Sequence, residues 1–441
     1  MHTLAFLDPG HFHAALTLGE RNPRVRDDLV VHAPKGPELD DFLGLVHSFN
    51  QRRERPTAWR VEVHAGEGSL ERLVAERPGD VVILAGRNDG KASTMRRLHD
   101  AGFHVLADKP WMAGPESLDD LRHVLAAPPL AVEMMTGRHE ITGTLAARLV
   151  ADEAIFGRFV DGGADEPGIE ITGVHHLEKT VDGRPLRRPP WYFDVRVQGD
   201  GIADIPTHMV DQAQRLARAA APGRGDEPPA LELLEARTWS TPVPRALFER
   251  VTGTTGFPPE LDSVVTGAEL AYRGNARLAF HAGSIRVALD TRWELSAPPG
   301  GGDTHRSVLR GTRSAIRVEQ GPATGFRRRL TVEPVDSSTR GPERAEPRLV
   351  HAALERALAA WATAYPGLSL EPAPGDGWEI RVPPALGQGH ERHFPLVLSE
   401  FLDLVESGRH PARLAADTLA KYTLLAQAGA EARRRDGTAQ P

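Results

Sequence analysis

Two segments that lie far apart in the sequence carry side chains suited to proton transfer. In the first, Asp108-Lys109-Pro110 directly follows the apolar run Val105-Leu106-Ala107. In the second, His208 follows Asp204 with three residues between them. A lysine ammonium can donate a hydrogen bond to an oxygen that develops negative charge, and a neutral imidazole can accept a proton near neutral pH. These groups would suit proton transfer at an oxygen of a bound molecule, provided that the fold brings both to one cleft.

The pattern of apolar runs predicts where the first segment lies. Amphipathic stretches separate short apolar runs at residues 4–7, 29–32, 59–64, 81–85, 105–107 and 130–134. Alternating β and α units with short connections predict a Rossmann-type, doubly wound parallel sheet. Lys109 would then lie at the carboxyl edge of that sheet, where ligands bind in open α/β folds. On its position alone, Lys109 is either a catalytic group or a surface charge.

Beyond residue 150 the pattern changes to runs that are rich in β-branched residues. They lie at residues 169–174, 231–239, 263–272, 276–281, 285–293 and 315–319, and three amphipathic stretches follow at 349–364, 394–406 and 414–433. Alternation of polar and apolar residues in several runs favours a large, open, mostly antiparallel sheet with one covered face. The sequence therefore predicts a dinucleotide-binding domain over 1–135 and a separate α+β domain over 136–441, with closing helices.

Composition excludes several classes of protein. The 441 residues include 53 Lys and Arg against 60 Asp and Glu, for a net charge of −7. Such a chain lacks the basic surface of sequence-independent nucleic-acid binders, and no apolar run approaches the ~20 residues of a membrane span. The absence of cysteine excludes disulfides, thiolate metal sites and cysteine nucleophiles. With no signal-peptide pattern at the N-terminus, we expect a cytoplasmic protein without nucleic-acid or membrane partners.

The turn after the first predicted strand is an incomplete dinucleotide fingerprint. Where the usual pattern is G-x-G-x-x-G, this chain has Asp8-Pro9-Gly10-His11-Phe12-His13, so only the middle glycine is present. By itself this is either a phosphate-binding turn or an ordinary Pro-Gly turn. The second strand ends without the usual acid, and Lys35 beyond it would tolerate a 2′-phosphate. The sequence does not choose between NAD and NADP.

Taken together, these motifs resemble the Gfo/Idh/MocA family of sugar oxidoreductases. Asp108-Lys109-Pro110 is similar to the family's Glu-Lys-Pro turn, and Gly86-Arg87-Asn88 is similar to its strand-four turn. Met135-Thr136-Gly137-Arg138 resembles its interdomain stretch. The segment from Gly199 to Asp211, with Asp204 and His208, resembles its second signature.

The resemblance is strongest to the branch with the putative oxidoreductase C-terminal domain. The opening Asp8-Pro9-Gly10-His11-Phe12-His13-Ala14-Ala15-Leu16 resembles that branch, as do His390-Glu391-x-His393-Phe394 and Lys421-Tyr422 near the other end. The resemblance implies a bound NAD or NADP, a carbohydrate substrate and a homo-oligomer formed through the C-terminal sheet. It also implies the catalytic trio Lys109, Asp204 and His208. The residues expected to bind the cofactor are Asp8, Gly10, His11, Phe12, Asn88, Asp108, Lys109 and Pro110.

Local sequence supports His208 as the base in such a reaction. Pro206 suits the first turn of a helix, with Asp204 or Ile205 at or before its cap, so His208 would sit in that turn. The positive end of the helix dipole should then favour the neutral imidazole. Asp204 would orient the imidazole or bind a sugar hydroxyl, although an Asp before a helix is often only a cap.

A further set of residues is expected to contact the substrate. These residues are Arg138, His175, His176, Lys179, Trp191 and Asp211. For the segment from His175 to Trp191, a solvated strand end followed by a proline-stiffened loop is the alternative. We weigh a metal site formed by His175, His176 and His208 and predict none, because adjacent histidines on a strand should face opposite sides.

Three functions therefore remain open from the sequence. The first is net oxidation or reduction of a sugar, glycoside or cyclitol with NAD or NADP. The second is a redox-neutral glycoside lyase, hydrolase or epimerase that recycles its NAD. The third is a sensor that binds a sugar or a dinucleotide without catalysis, which the missing glycines of the turn would explain.

Overall fold

The computed structural model describes residues 1–181, 184–221, 227–335, 346–374, 377–387 and 389–435. Its first part alternates strands with helices: β1 (Leu4–Leu7), α1 (His13–Leu16), β2 (Asp28–Ala33), α2 (Pro37–Gln51), β3 (Arg60–Ala65), α3 (Ser69–Glu76), β4 (Val81–Leu84), α4 (Lys91–Asp100), β5 (His104–Ala107), α5 (Leu118–Ala126) and β6 (Ala131–Glu133). The six strands are parallel, in the order β3-β2-β1-β4-β5-β6. Every residue of β1 and β4 is buried because helices cover both faces. The predicted Rossmann-type sheet is confirmed.

The second part is built around a large mixed sheet. Its elements are α6 (Ile141–Val150), β7 (Ile169–Glu178), β8 (Thr180–Val181), β9 (Arg184–Pro185), α7 (Val195–Gln198), α8 (Ile205–Ala219), β10 (Leu231–Pro244), α9 (Arg245–Thr252), β11 (Val265–Thr266), β12 (Glu269–Ala282), β13 (Ile285–Ser296), β14 (Thr304–Arg310), β15 (Ser314–Gln320), β16 (Arg329–Pro334), α10 (Pro347–Trp361), β17 (Ser369–Ala373), β18 (Gly377–Arg381), α11 (His393–Ser407) and α12 (Ala412–Arg435). The ten-stranded sheet has the order β10-β12-β13-β7-β14-β15-β16-β18-β17, with β11 beside β12. Among the described pairs of neighbouring strands in this sheet, β7 and β13 are parallel and the others are antiparallel. The predicted large, mostly antiparallel sheet is confirmed.

One pair of predicted strands is a single strand in the structure. Residues 263–272 and 276–281 were expected to be separate, but β12 runs through both, and residues 259–264 form a short 3-10 helix instead. The gap between the two predicted runs contains Gly274 and Asn275. Here β12 carries one residue more than β10, which makes a bulge in β12, and the amide of Asn275 donates to the carbonyl of Trp239 at 3.0 Å. A Cβ at Gly274 would lie 2.3 Å from the ring of Tyr272, so the close packing there requires glycine.

The closing helices join the two domains rather than covering the second alone. On α11, Phe394 and Phe401 pack in a core with Phe6 and Phe42 of the first domain. The predicted limits place α11 in the second domain, and its apolar face packs against the first. Amphipathic periodicity shows that a helix has an apolar face, but it does not say which sheet receives that face. Within the described ranges, no helix combines the length and apolarity needed to cross a bilayer.

Candidate active site

Lys109 and Asp204 meet where the carboxyl end of β5 faces the start of α8. The Lys109 Nζ donates to Asp204 Oδ1 at 2.5 Å, and the Tyr192 hydroxyl donates to Asp204 Oδ2 at 3.1 Å. Asp204 is the N-cap residue of α8, as expected, but its carboxylate does not cap the helix. Burial acts to raise the pKa of Asp204, yet Lys109 and Tyr192 outweigh it and hold that pKa below its usual range. Asp204 is therefore an anion that holds the lysine.

His208 lies in the first turn of α8 and lines the same cavity as Lys109. Burial, followed by the charge of Lys109, lowers the pKa of His208 to about 3. The imidazole is therefore neutral, which is the form that a proton acceptor needs. The expectation of a neutral His208 agrees with this pKa, but burial rather than the helix dipole is the largest cause.

The cavity between the two domains has a volume of about 1480 Å³, enough for a dinucleotide and a second small molecule. It brings together most of the residues that the sequence selected. Those that line it are His11, Phe12, Asn88, Asp108, Lys109, His175, Lys179, Trp191, Asp204, His208 and Asp211.

A second group of ionisable side chains lies on the wall formed by β7. His175 Nδ1 is 3.0 Å from Asp303 Oδ2, His176 Nδ1 is 3.2 Å from Asp303 Oδ1, and the Lys179 ammonium also pairs with this carboxylate. The expectation that the two histidines face opposite sides is wrong. The alternation of burial breaks at the end of β7, so both rings reach Asp303. Burial acts to raise the pKa of Asp303, but the two histidines and Lys179 keep it well below its usual range.

Arg138 takes part in an ion-pair network beside the cavity. Its Nε donates to Asp211 Oδ2 at 3.0 Å, and Lys421 Nζ lies 3.6 Å from Asp211 Oδ1. The Lys421 ammonium and the Tyr422 hydroxyl also bond to the carboxylate of Glu133. Arg138 is not among the residues that line the cavity, and its expected contact with the substrate stays a prediction.

The turn after β1 forms a narrow crevice with the turn after β4. A Cβ at Gly86 would lie 2.3 Å from the carbonyl oxygen of Asp8, whereas a Cβ at Gly10 would make ordinary contacts of 3.7 Å with Glu38. Close packing therefore requires glycine at Gly86 and not at Gly10. The amides of Gly10 and His11 already donate to the carbonyls of Asp8 and Ala85, so they are not oriented as a phosphate cradle.

The crevice nevertheless suits a dinucleotide. In a sheet of this strand order the direction of winding reverses between β1 and β4, and ligands bind outside the strand ends at such a point. Asn88 lines the cavity there, with its amide donating to the Gln198 carbonyl at 2.9 Å. Pro110 is not among the residues that line the cavity, and its carbonyl accepts from the Lys91 ammonium at 3.1 Å.

Comparison with known proteins agrees with this architecture. The family described as "Putative oxidoreductase C terminal domain" matches residues 145–433. A putative oxidoreductase from Parabacteroides merdae is 34% identical, with 98% of each chain covered and a TM-score of 0.91. The chain belongs to this oxidoreductase family, of the Gfo/Idh/MocA type. A search of the curated proteins found no match.

More distant members of the Gfo/Idh/MocA type share the fold. A levoglucosan dehydrogenase in complex with NADH is 15% identical, with 98% of this chain and 97% of that chain covered and a TM-score of 0.59. GenD2 from gentamicin A biosynthesis, in complex with NAD, is 14% identical, with 99% and 94% covered and a TM-score of 0.56. At this identity the likeness concerns the fold alone.

Three residues of this oxidoreductase's site escaped the sequence analysis. Tyr192 holds Asp204, and the buried Lys91 ammonium donates to Asn88 Oδ1 at 2.5 Å and to the Asp108 carbonyl at 3.0 Å. Trp293 lines the cavity with its buried Nε1, which has no acceptor within the described part of the chain. Tyr192 lies beside the predicted Trp191, so an aromatic signal existed there. Nothing local distinguishes Lys91 or Trp293.

Proposed function

We propose that this chain is an NAD-dependent oxidoreductase that oxidises or reduces a hydroxyl or keto carbon of a sugar, glycoside or cyclitol. The observation that carries the proposal is the position of Lys109 and His208. Both line one cavity at the carboxyl edge of a Rossmann-type sheet, beside the crevice between β1 and β4.

Each member of the trio has a role that follows from its charge. The neutral His208 accepts the proton of the substrate hydroxyl, and returns it in the opposite direction. The Lys109 ammonium donates a hydrogen bond to the reacting oxygen and stabilises its alkoxide character. Asp204, held by Tyr192, fixes the position of Lys109. The nicotinamide, when bound, supplies or takes the hydride.

The acidic side chains around the turn after β1 favour NAD over NADP. We infer that Gly10, Phe12 and Asn88 contact the dinucleotide in the crevice. Glu38, in the first turn of α2, lies beside Gly10. Burial, followed by the charge of Glu38, raises the pKa of Asp8, so the two carboxyl groups interact. A 2′-phosphate placed near them would meet like charge, and this outweighs the exposed Lys35.

The wall opposite Lys109 has the chemistry of a sugar-binding surface. Trp191 and Trp293 provide aromatic faces, and the buried Nε1 of Trp293 is a donor without a protein acceptor. His175 and Lys179, held by Asp303, add polar groups that can bond to hydroxyls. We therefore place the carbohydrate between this wall and Lys109.

The same wall also favours a second candidate function. His175 and Lys179 could move a proton at a carbon next to the oxidised one, because oxidation acidifies the neighbouring C–H bond. The chain would then run a redox-neutral elimination, hydrolysis or epimerisation with the hydride returned at the end. In this reaction product forms without net oxidation or reduction of the nicotinamide, whereas the first reaction changes the nicotinamide with every turnover.

The test begins by measuring the binding of NADH and of NADPH through nicotinamide fluorescence. Sugars, glycosides and keto-sugars are then supplied with NAD or NADH, and both nicotinamide absorbance and product are measured. Steady change of absorbance with product supports net oxidoreduction, and product without that change supports the redox-neutral reaction. Sugar binding without any dinucleotide binding would overturn both in favour of a sensor. Light scattering of the same sample tests the proposed homo-oligomer.

A further inference from the structure

Three side chains that line the cavity form a group to which the roles proposed for Lys109, Asp204 and His208 give no part. His11 lies in the turn between β1 and α1, His13 is the first residue of α1, and Asp108 follows β5. His11 Nδ1 lies 2.9 Å from Asp108 Oδ2, and His13 Nδ1 lies 3.0 Å from both oxygens of the same carboxylate. The potential ligand atoms of all three lie within 4.8 Å of one another.

These separations are those of a metal coordination shell. Two ligand atoms that are each about 2.1 Å from an ion, at a right angle, are about 3.0 Å apart. Two imidazoles and one carboxylate are also a donor set that binds divalent transition metals and leaves coordination positions open. The donor types and their spacing therefore agree.

The surroundings hold the three groups in place and leave one side open. The side chains of His11, His13 and Asp108 are 17%, 11% and 4% exposed, yet all three line the cavity. The ring of Phe12 packs on both imidazoles, at 4.6 and 4.5 Å, and Phe394 packs on His13 at 4.5 Å. These aromatic contacts restrict both imidazoles, so little reorganisation would be needed to bind an ion.

We propose that His11, His13 and Asp108 bind one divalent transition-metal ion whose remaining coordination positions face the cavity. Those positions take oxygen ligands, which are water or a hydroxyl or keto oxygen of the substrate. The sequence analysis considered a metal only at residues 175, 176 and 208, and therefore missed this group. The site does not depend on the proposed function, because metal uptake is measured without a substrate or a nicotinamide.

Cobalt(II) is the probe, because its d–d absorption reports coordination directly. The full chain is treated with a chelator, freed of it by dialysis, and titrated with Co²⁺ alone. We expect one ion per chain and a visible absorption band. The near-isosteric variant Asp108→Asn and the variant His13→Ala should each weaken Co²⁺ binding by at least about 100-fold. Thermal unfolding of each variant without metal shows whether it is folded.

The chain offers two matched controls, since the described residues contain two other groups of this kind. These are His32 with His64 and Glu76, and His99 with Asp100 and His123. His64→Ala and His123→Ala remove one histidine from each group and should leave Co²⁺ binding unchanged.

The proposal is overturned by three outcomes: no uptake of Co²⁺, uptake that persists in folded Asp108→Asn and His13→Ala, or uptake that is lost in a control. In each of these, Asp108 accepts hydrogen bonds from two imidazoles and no more. NADH titration of the parent chain keeps the two proposals separate. A parent chain that binds NADH but takes up no Co²⁺ contradicts only the metal site, whereas a parent chain that takes up Co²⁺ but binds no NADH contradicts only the proposed function.

Discussion

Two buried lysine–carboxylate pairs connect the domains, and they differ in access to the cavity. Lys109 pairs with Asp204 between β5 and α8, and Lys421 pairs with Glu133 between β6 and α12. The side chains of the first pair are 9% and 4% exposed, and both line the cavity. Those of the second are 0% and 1% exposed. The two pairs have the same chemistry, so access to the cavity, rather than residue type, separates a catalytic candidate from a structural pair.

The two pairs also differ in the number of protein groups that bond to them. Lys421 has a second carboxylate, Asp211, at 3.6 Å, and its partner Glu133 also accepts from Tyr422. A buried ion is stable only when its neighbours satisfy it, so this network fixes the docking of α12. Lys109 has one carboxylate partner among the described residues and one open side, which leaves its ammonium able to meet a substrate oxygen.

The largest expected effect is on the stability of the chain and concerns the pair Lys421–Glu133, whose side chains are fully buried. Lys421→Met leaves Glu133 buried without its cation, and we expect the free energy of unfolding to fall by about 3–5 kcal/mol. Urea unfolding measures this loss. The exposed Lys35→Met is the matched control and should change stability little. A Lys421→Met variant as stable as the parent chain would contradict a structural role for the pair.

The next effect concerns turnover rather than stability. Lys109→Met removes the donor to the reacting oxygen, so we expect kcat to fall about 10²–10³-fold, while NADH affinity changes little. Stability should fall less than in Lys421→Met, because water in the cavity can solvate Asp204. Steady-state kinetics and urea unfolding of the two variants, measured side by side, test the comparison. Unchanged turnover in Lys109→Met would make this lysine another structural cation.

A smaller effect on turnover is expected from Tyr192, which bonds to the Asp204 oxygen that Lys109 does not contact. Tyr192→Phe removes the hydrogen bond to Asp204 Oδ2 but keeps the ring. Because Asp204 then positions Lys109 less well, we expect kcat to fall about tenfold, equivalent to about 1.4 kcal/mol. Tyr365→Phe, whose hydroxyl bonds to Arg148 away from the site, is the control. Equal kinetics in the two variants would remove Tyr192 from the positioning of Asp204.

The sequence predicted the sheets better than the packing between them. Strands β1 and β4 are continuous apolar runs because both of their faces are covered, and that pattern is readable without coordinates. The partner of α11 was not readable, since an apolar helix face fits either domain. The continuity of β12 was missed because the apolar runs on the two sides of Gly274-Asn275 look like separate strands. The bulge that carries β12 through these residues depends on its pairing with β10.

The residues of the candidate site also divide into those that a motif identifies and those whose contacts form only in the folded chain. Lys109, Asp204 and His208 were selected by motif, and the structure brings all three to one cavity. Tyr192 and Lys91 were missed because their roles depend on contacts across the fold, at Asp204 and at Asn88. Strand alternation also failed at the end of β7, where the pairing with β13 continues and yet two adjacent histidines both reach Asp303.

The smallest effect is a pH dependence that comes from His208, beside the pair Lys109–Asp204. Burial, then Lys109, and more weakly Lys421, lower the pKa of folded His208 to about 3, while Asp204 acts to raise it. The unfolded imidazole titrates near 6.5, so below that pH the unfolded chain binds more protons and stability falls as pH decreases. Between pH ~7.5 and ~5.5 we expect His208 to account for a loss of about 1 kcal/mol. Urea unfolding should show a smaller loss in His208→Gln. Lys109→Met, Lys421→Met and the exposed His123→Gln should keep most of it, because burial, the largest cause, holds the pKa of His208 below this pH range without either lysine. An equal loss in His208→Gln and His123→Gln would mean that His208 is not buried as a neutral imidazole beside Lys109.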